Sequence, residues 1–234
     1  AEKGSTVKIY DNGNLLATVT AGPDGSWSVP GTGLISTLSS GQHSLTATAT
    51  DAAGNTSSLG QPYNITVDLQ APNAPTFTSV IDDVAGGIVG PLISGQLTND
   101  SMPTLNGRAE AGATITIMDG LNPVQTQTPI IADSSGNWSY TFTTPLADGT
   151  HTLTVKATDP AGNTGPASLP FTVNVDATLP GAPSITNVTD LGNVAEGGFT
   201  NGTLPTISGT AEPGSTIAIY NGNTLLGTTT ASNT

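Results

Sequence analysis

The sequence predicts an all-β chain of tandem β-sandwich domains on three observations: a composition of strands and turns, a long internal repeat, and about seven strand-like runs per repeat. The 234 residues include 29 Gly and 17 Pro. With abundant Thr, Ser and Val, that composition suits pleated strands joined by tight turns and argues against helices and coiled coils. Aromatic residues are few, at 4%, but the length allows real cores.

The repeat decides the organisation. "TATATDAAGNT" at 46–56 returns as "TVKATDPAGNT" at 154–164. Asp51 and Asp159, His43 and His151, Asp68 and Asp176, and Pro75 and Pro183 are each 108 residues apart. "AEKGSTVKIYDNGNLLATVTA" from Ala1 reappears as "AEPGSTIAIYNGNTLLGTTTA" from Ala211, and the middle copy supplies "AEAGATITIMDG" from Ala109. The expected domains are an N-terminally incomplete one over 1–68, a complete one over 69–176, and a C-terminally incomplete one over 177–234. The chain thus reads as opening and closing part-way through a module. The third copy is six residues shorter between the counterparts of Pro75 and Pro103, where "DDVAGGIVGPLISGQLTND" faces "TDLGNVAEGGFTNGT". That segment reads as a loop, because loops absorb length changes.

In the middle copy, alternating or β-branched runs between Gly, Pro, Asn and Asp predict strands in order. They fall near 75–81 and 103–109, then 113–118 and 124–131, then 137–143, 150–158 and 170–175. Seven short strands in about 105 residues describe an immunoglobulin-like β-sandwich. Trp27 in "GSW" and Trp138 in "GNW" occupy matching places and are expected in cores.

Alternating strand direction turns this order into geometry. Loops after the second, fourth and sixth strands belong at the N-terminal pole, beside the linker "VDLQAPNAP". Asp68 from the linker, Glu110 from the second loop, and Asp159 and Asn163 from the sixth are thereby expected to converge. Asp176 and Glu212 repeat the pattern at the next junction, and Asp51 matches Asp159 without an upstream partner. Asp82 and its counterpart Asp190 fall at the opposite pole with Asp83, Asn99, Asp100 and Asp148, where they would complete the downstream junction or simply make solvated turns. Clustered carboxylates without Lys or Arg repel unless a cation neutralises them. Ca²⁺, with six to eight oxygen ligands in irregular geometry, suits such a set better than Mg²⁺ or Zn²⁺. The competing reading is structural: Asp51 and Asp159 can make Asx turns in which Gly54 and Gly162 supply a positive φ.

Charge and motifs exclude other classes. Seventeen acidic against four basic residues give a net charge of -13, which repels nucleic acid and anionic lipid. There is no Cys, hence neither a disulfide framework nor a thiolate metal site. No apolar run approaches the roughly 18 residues of a membrane span. No nucleophile elbow, phosphate loop, HExxH or EF-hand pattern is present, and carboxylates at junctions do not form a hydrolytic pair in a cleft. No enzyme is expected. His43 and His151, at the same repeat position, read as architectural.

"SGNWSYTFTTPLADGTHTLTVKATDPAGNTGPAS", "VDATLPGAP" and "LPTISGTAEPGSTIAIYNG" resemble the bacterial Ig-like repeats of giant type I-secreted adhesins, the SiiE-type non-fimbrial adhesins among them. The resemblance spans essentially the whole chain. It implies a secreted, cell-surface, monomeric filament whose partners are neighbouring Ig-like domains of the same chain. A distal region outside this chain would bind a host cell or other surface. It also implies junction calcium on Asp68, Asp159 and Asp176. Leu191 stands opposite Asp83 in the shorter copy, which removes a second Asp there. Direct binding of glycan or host receptor, or service as the accessory stalk of a secreted polysaccharide-degrading enzyme, are the alternatives.

Overall fold

The computed structural model describes residues 1–190 and 192–232; Leu191 lies outside them. Its strands fall into two compact units, Ala1–Asp176 and Ala177–Thr234. In the first unit, β1 (Thr6–Asp11), β2 (Asn14–Thr20), β3 (Gly41–Thr50) and β4 (Tyr63–Val67) form one antiparallel sheet in the order β2-β1-β3-β4, and a single 3-10 turn spans Gly31–Gly33. The β1–β2 hairpin turns through Asn12 and Gly13, both with positive φ, as the tight turn requires.

A complete two-sheet sandwich follows. It contains β5 (Thr76–Asp82), β6 (Gly90–Pro91), β7 (Leu97–Thr98), β8 (Thr104–Arg108) and β9 (Thr114–Asp119). It continues with β10 (Asn122–Pro123), β11 (Ile130–Ile131), β12 (Asn137–Thr141), β13 (Gly149–Thr158) and β14 (Phe171–Val175). One sheet runs β10-β9-β13-β14-β7 with β11 on β9, and the other β12-β8-β5-β6. In the second unit, β15 (Ser184–Thr189) pairs with β16 (Thr206–Thr210), and β17 (Thr216–Asn221) with β18 (Thr224–Thr230).

The middle core follows from alternation. Val80 and Leu105 from one sheet meet Ile115, Ile117, Leu153, Val155 and Val173 from the other, all buried. Full burial of each such side chain is worth roughly 1.5–3 kcal/mol. Trp138, 3% exposed, packs edge-on against Phe77 at 5.9 Å between ring centroids. Gly107 makes room for it: a Cβ there would lie 2.2 Å from the indole ring.

Three expectations are refined. The run 124–131 is not one strand, because Pro123 and Pro129 remove donors; it meets β9 through β10, the Val124 N–H on the Ile117 carbonyl, and β11. The segment 82–100, read as a loop, contains β6 and β7, and β7 lies parallel to β14, covering that edge. Trp27 is corrected: it is 42% exposed. Among the described residues no strand equivalent to β8 stands opposite it, so "SWSVP" remains irregular where Asn137–Thr141 is a strand. No helix among the described residues is long and apolar enough to cross a membrane.

Candidate functional site

The sixth-strand loop builds itself. Asp159 N–H donates to the Asn163 carbonyl at 3.0 Å, and Gly162 N–H returns to the Asp159 carbonyl at 3.1 Å. The Asp159 carboxylate, 5% exposed as a residue, accepts from Asn163 N–H and from Asn163 Nδ2, each at 2.9 Å. These donors, the Asn163 side chain first, hold its carboxyl below the usual range against a smaller opposing effect of burial. Gly162 takes φ 95, the left-handed value that glycine meets without a Cβ penalty.

Asp51 and Asn55 make the same loop, with bonds of 2.8 Å from both Asn55 N–H and Nδ2. So do Asp133 and Asn137, with Gly136 at φ 79. The third instance was legible in "DSSGN" and was missed. It shows that D-x-x-G-N is a turn device wherever it stands; what distinguishes residues 159–163 is location.

That location is against the linker. Asn163 Nδ2 also donates to the Asp68 carbonyl at 3.0 Å, and Gly165 is passed so closely that a Cβ on it would lie 2.1 Å from the Pro72 carbonyl. Gly112, in the loop carrying Glu110, sits against Pro160. The second and sixth loops and the linker therefore share one pole. The carboxylates themselves do not form a common cage. Asp68 and Glu110 are exposed, Asp68 Oδ1 accepts from Gln70 N–H at 2.9 Å, and among the described residues no three His, Cys, Asp or Glu side chains gather as a metal group.

The opposite pole is more deeply built. Asp82 and Asp100 are 0% and 2% exposed. Thr98 Oγ1 donates to Asp82 Oδ2 and accepts Asp100 N–H at 3.0 Å. Val84 N–H reaches Asp82 Oδ1 at 2.9 Å, and Met102 N–H reaches Asp100 Oδ1 at 2.7 Å. Burial, with the nearby charges of Asp82 and Asp83, raises the Asp100 carboxyl above its ordinary range, although backbone N–H donors oppose it. Asn99 Oδ1 is buried without a partner. The Thr98 carbonyl accepts Asp176 N–H at 2.9 Å, which brings this cluster to the end where the chain leaves the sandwich. Asp83 and Asp176 are exposed beside it, and Asp148 is exposed in the turn before β13.

The third copy keeps half of this arrangement. Thr200 Oγ1 donates to Asp190 Oδ2 at 2.7 Å and accepts Gly202 N–H at 3.1 Å. Gly202 replaces Asp100, and a Cβ on it would lie 2.3 Å from the Asp190 carboxylate. Glu212, exposed, belongs to the second unit, where its carbonyl accepts Ser215 N–H and Oγ.

Residues 1–68 match the family model described as bacterial Ig domain, and residues 76–177 the one described as bacterial Ig-like domain. Over these two stretches the chain carries bacterial Ig-like domains. The search of curated proteins finds no match. Among solved structures, the chain is similar to the fibronectin(III)-like modules of Clostridium thermocellum CbhA, at 13% identity over 74% of this chain and 79% of that one, TM-score 0.43. It is also similar to a tetra-tandem repeat in the extending region of a large adhesion protein, at 22% identity over 99% of this chain and 57% of that one, TM-score 0.34. The BSP domain of a biofilm-associated protein matches at 23% identity over 76% of this chain and 26% of that one, TM-score 0.31.

In the middle domain the outgoing pole gathers oxygen donors of the type a hard cation takes. Asp82 and Asp100 supply carboxylates, and Asn99 supplies a buried amide oxygen without a donor, the oxygen ligands that Ca²⁺ takes. At the linker pole, the Asp159 carboxylate accepts from Asn163 N–H and Nδ2, much as the Asp82 and Asp100 carboxylates accept from Val84, Thr98 and Met102.

Proposed function

We propose that these Ig-like domains are structural repeats in the stalk of a large type I-secreted bacterial adhesin, and that calcium at their junctions limits bending. The observation that carries this reading is the linker contact. Asn163, built into its loop by Asp159, also holds the Asp68 carbonyl, while Pro72 crosses the bare backbone of Gly165. A linker fastened to the following module transmits orientation, as a spacer needs.

Asp82, Asp100 and Asn99, with Asp83 and Asp176 nearby, would hold calcium at the outgoing pole, and Asp68, Asp159 and Glu110 would contribute at the incoming one. A bound ion there would neutralise carboxylates that otherwise repel. With a Kd of roughly 10⁻⁴ to 10⁻³ M, typical of extracellular modules, ten-fold excess calcium adds only about 1.4 kcal/mol per site. The ion would act on junction geometry more than on folding. The adhesive contact itself would belong to a distal part of the parent filament.

Small-angle scattering of the chain with calcium and then with chelator tests the reading, alongside Asp68→Ala and Asp100→Asn. Calcium should lengthen and narrow the distance distribution, and Asp100→Asn should weaken the response. An unchanged maximum dimension after chelation would remove calcium from the proposal. Binding of the isolated chain to a glycan array would favour direct recognition instead.

A further inference from the structure

The two histidines carry more than packing. His43 Nδ1 lies 2.6 Å from Asp11 Oδ2, and Nε2 lies 2.8 Å from the Ser39 carbonyl oxygen. His151 repeats both contacts at the same distances, with Asp119 Oδ2 and the Ala147 carbonyl. A carbonyl oxygen only accepts, so Nε2 must carry hydrogen. Nδ1 faces a carboxylate, so a second proton must lie between them, and imidazole, the stronger base, keeps it on Nδ1. Each pair thus holds one proton more than a neutral imidazole beside a carboxylate. His43 is 6% exposed, and Asp11 Oδ1 is buried without a partner, so loss of that proton would leave a poorly solvated anion.

The clasp spans two elements. In the first sheet it ties the turn before β3 to the end of β1, and Ser40 in that turn receives Leu69 N–H on its hydroxyl at 3.2 Å. Leu69 follows Asp68, whose carbonyl the next module holds through Asn163. We propose that His43 and His151 are proton-held clasps, and that the His43 clasp anchors the linker by fixing the turn that carries Ser40, so that linker anchoring weakens with deprotonation.

His43 meets Asp11 from β1 and the Ser39 carbonyl, with uncharged Ile65 across the ladder on β4. His151 meets Asp119 from β9 and the Ala147 carbonyl, with Val173 across on β14 and Asp148 next in the turn. Both imidazoles are raised above the ordinary value. For His43 the Ser39 carbonyl contributes most and Asp11 next. For His151 burial opposes the rise, but the Asp119 and Ala147 bonds together outweigh it. A raised imidazole contributes stability in full below the unfolded value near pH 6.5 and loses it as pH climbs through the folded value.

The test is made on the whole chain with chelator present, which separates it from any calcium effect. Ring ¹⁵N shifts should show both nitrogens of His43 and His151 protonated at pH 7, titrating above the ordinary midpoint. The amide protection factor of Leu69, corrected for intrinsic exchange, should fall about tenfold across the His43 titration, the scale of one charge-assisted hydrogen bond. Asp11→Asn, which keeps a ring acceptor but removes the charge, should lower the His43 midpoint and leave that of His151 in place. His43→Gln should abolish the pH dependence at Leu69. A neutral ring tautomer at pH 7 in both modules would overturn the clasp. A Leu69 protection factor that ignores the His43 titration would overturn its link to the linker.

Discussion

The sheet of residues 1–67 and the sandwich of residues 76–175 use the same pattern to different depths. Leu153, Val155 and Ala157 on β13 are each 0% exposed; their counterparts Leu45, Ala47 and Ala49 on β3 are only partly buried. Trp138 is 3% exposed and Trp27 42%. Backbone pairing is equally regular in both: β3 runs along β1 in the register that β13 keeps along β9. Ladder hydrogen bonds thus set the strands in both places, while burial depends on whether a second sheet stands opposite.

The largest expected effect sharpens that contrast. Trp138→Ala should cost the sandwich about 3–5 kcal/mol in urea unfolding, as large aromatic truncations in cores do, and Trp27→Ala much less. Because these are the only two tryptophans, Trp27→Phe should leave a blue-shifted emission protected from acrylamide. Equal quenching of the two single-tryptophan variants would break the comparison.

A smaller effect concerns Gly165, whose counterpart in the first module is Ser57. Gly165→Ser should cost about 1–3 kcal/mol through overpacking against the Pro72 carbonyl and should raise hydrogen exchange around residues 72–73. No change in exchange there would mean that the linker is not held at that crossing.

Smaller again is the difference between Asn163 and Asn55. Asn163→Ala removes bonds to Asp159 and to Asp68, whereas Asn55→Ala removes only the bond to Asp51. The excess cost of the first should be about 0.5–1.5 kcal/mol, one net hydrogen bond, read by denaturation of each variant at the same pH.

The smallest effect is electrostatic and separates the middle copy from the third, where Gly202 replaces Asp100. The folded state holds the Asp100 proton more tightly than the unfolded chain does. Without calcium, its contribution therefore falls as pH rises from the unfolded value near 3.8 through the folded one, and the cost persists above it. Asp100→Asn should stabilise the chelated protein modestly at pH 7 and flatten that part of the profile. Destabilisation would mean that the ionised carboxylate is wanted by its N–H donors alone.

Much of this was legible beforehand because both governing patterns are local. Period-two alternation and Gly or Pro punctuation set most strands of the sandwich, and strand parity put the 159–163 loop on the linker side, where Asn163 meets Asp68. The D-x-x-G-N turn was also local, although Asp133 was overlooked. Other features were hidden because they need two distant segments. The parallel β7–β14 pair joins residues 97–98 to 174–175. The Asp82–Thr98–Asp100 network closes across a variable loop, and each His–Asp clasp spans 32 residues.

By itself, then, the sequence determined the all-β class, the repeat register, most strands and the order of loops around each module, because these depend on side-chain period and turn chemistry within a few residues. Tertiary structure alone decided which equivalent residues are buried and which carboxylates are satisfied by N–H donors. It also decided that the repeated histidines each stand between a carboxylate and a carbonyl. Burial and electrostatic pairing are properties of what faces a residue, and similar stretches of chain have different neighbours.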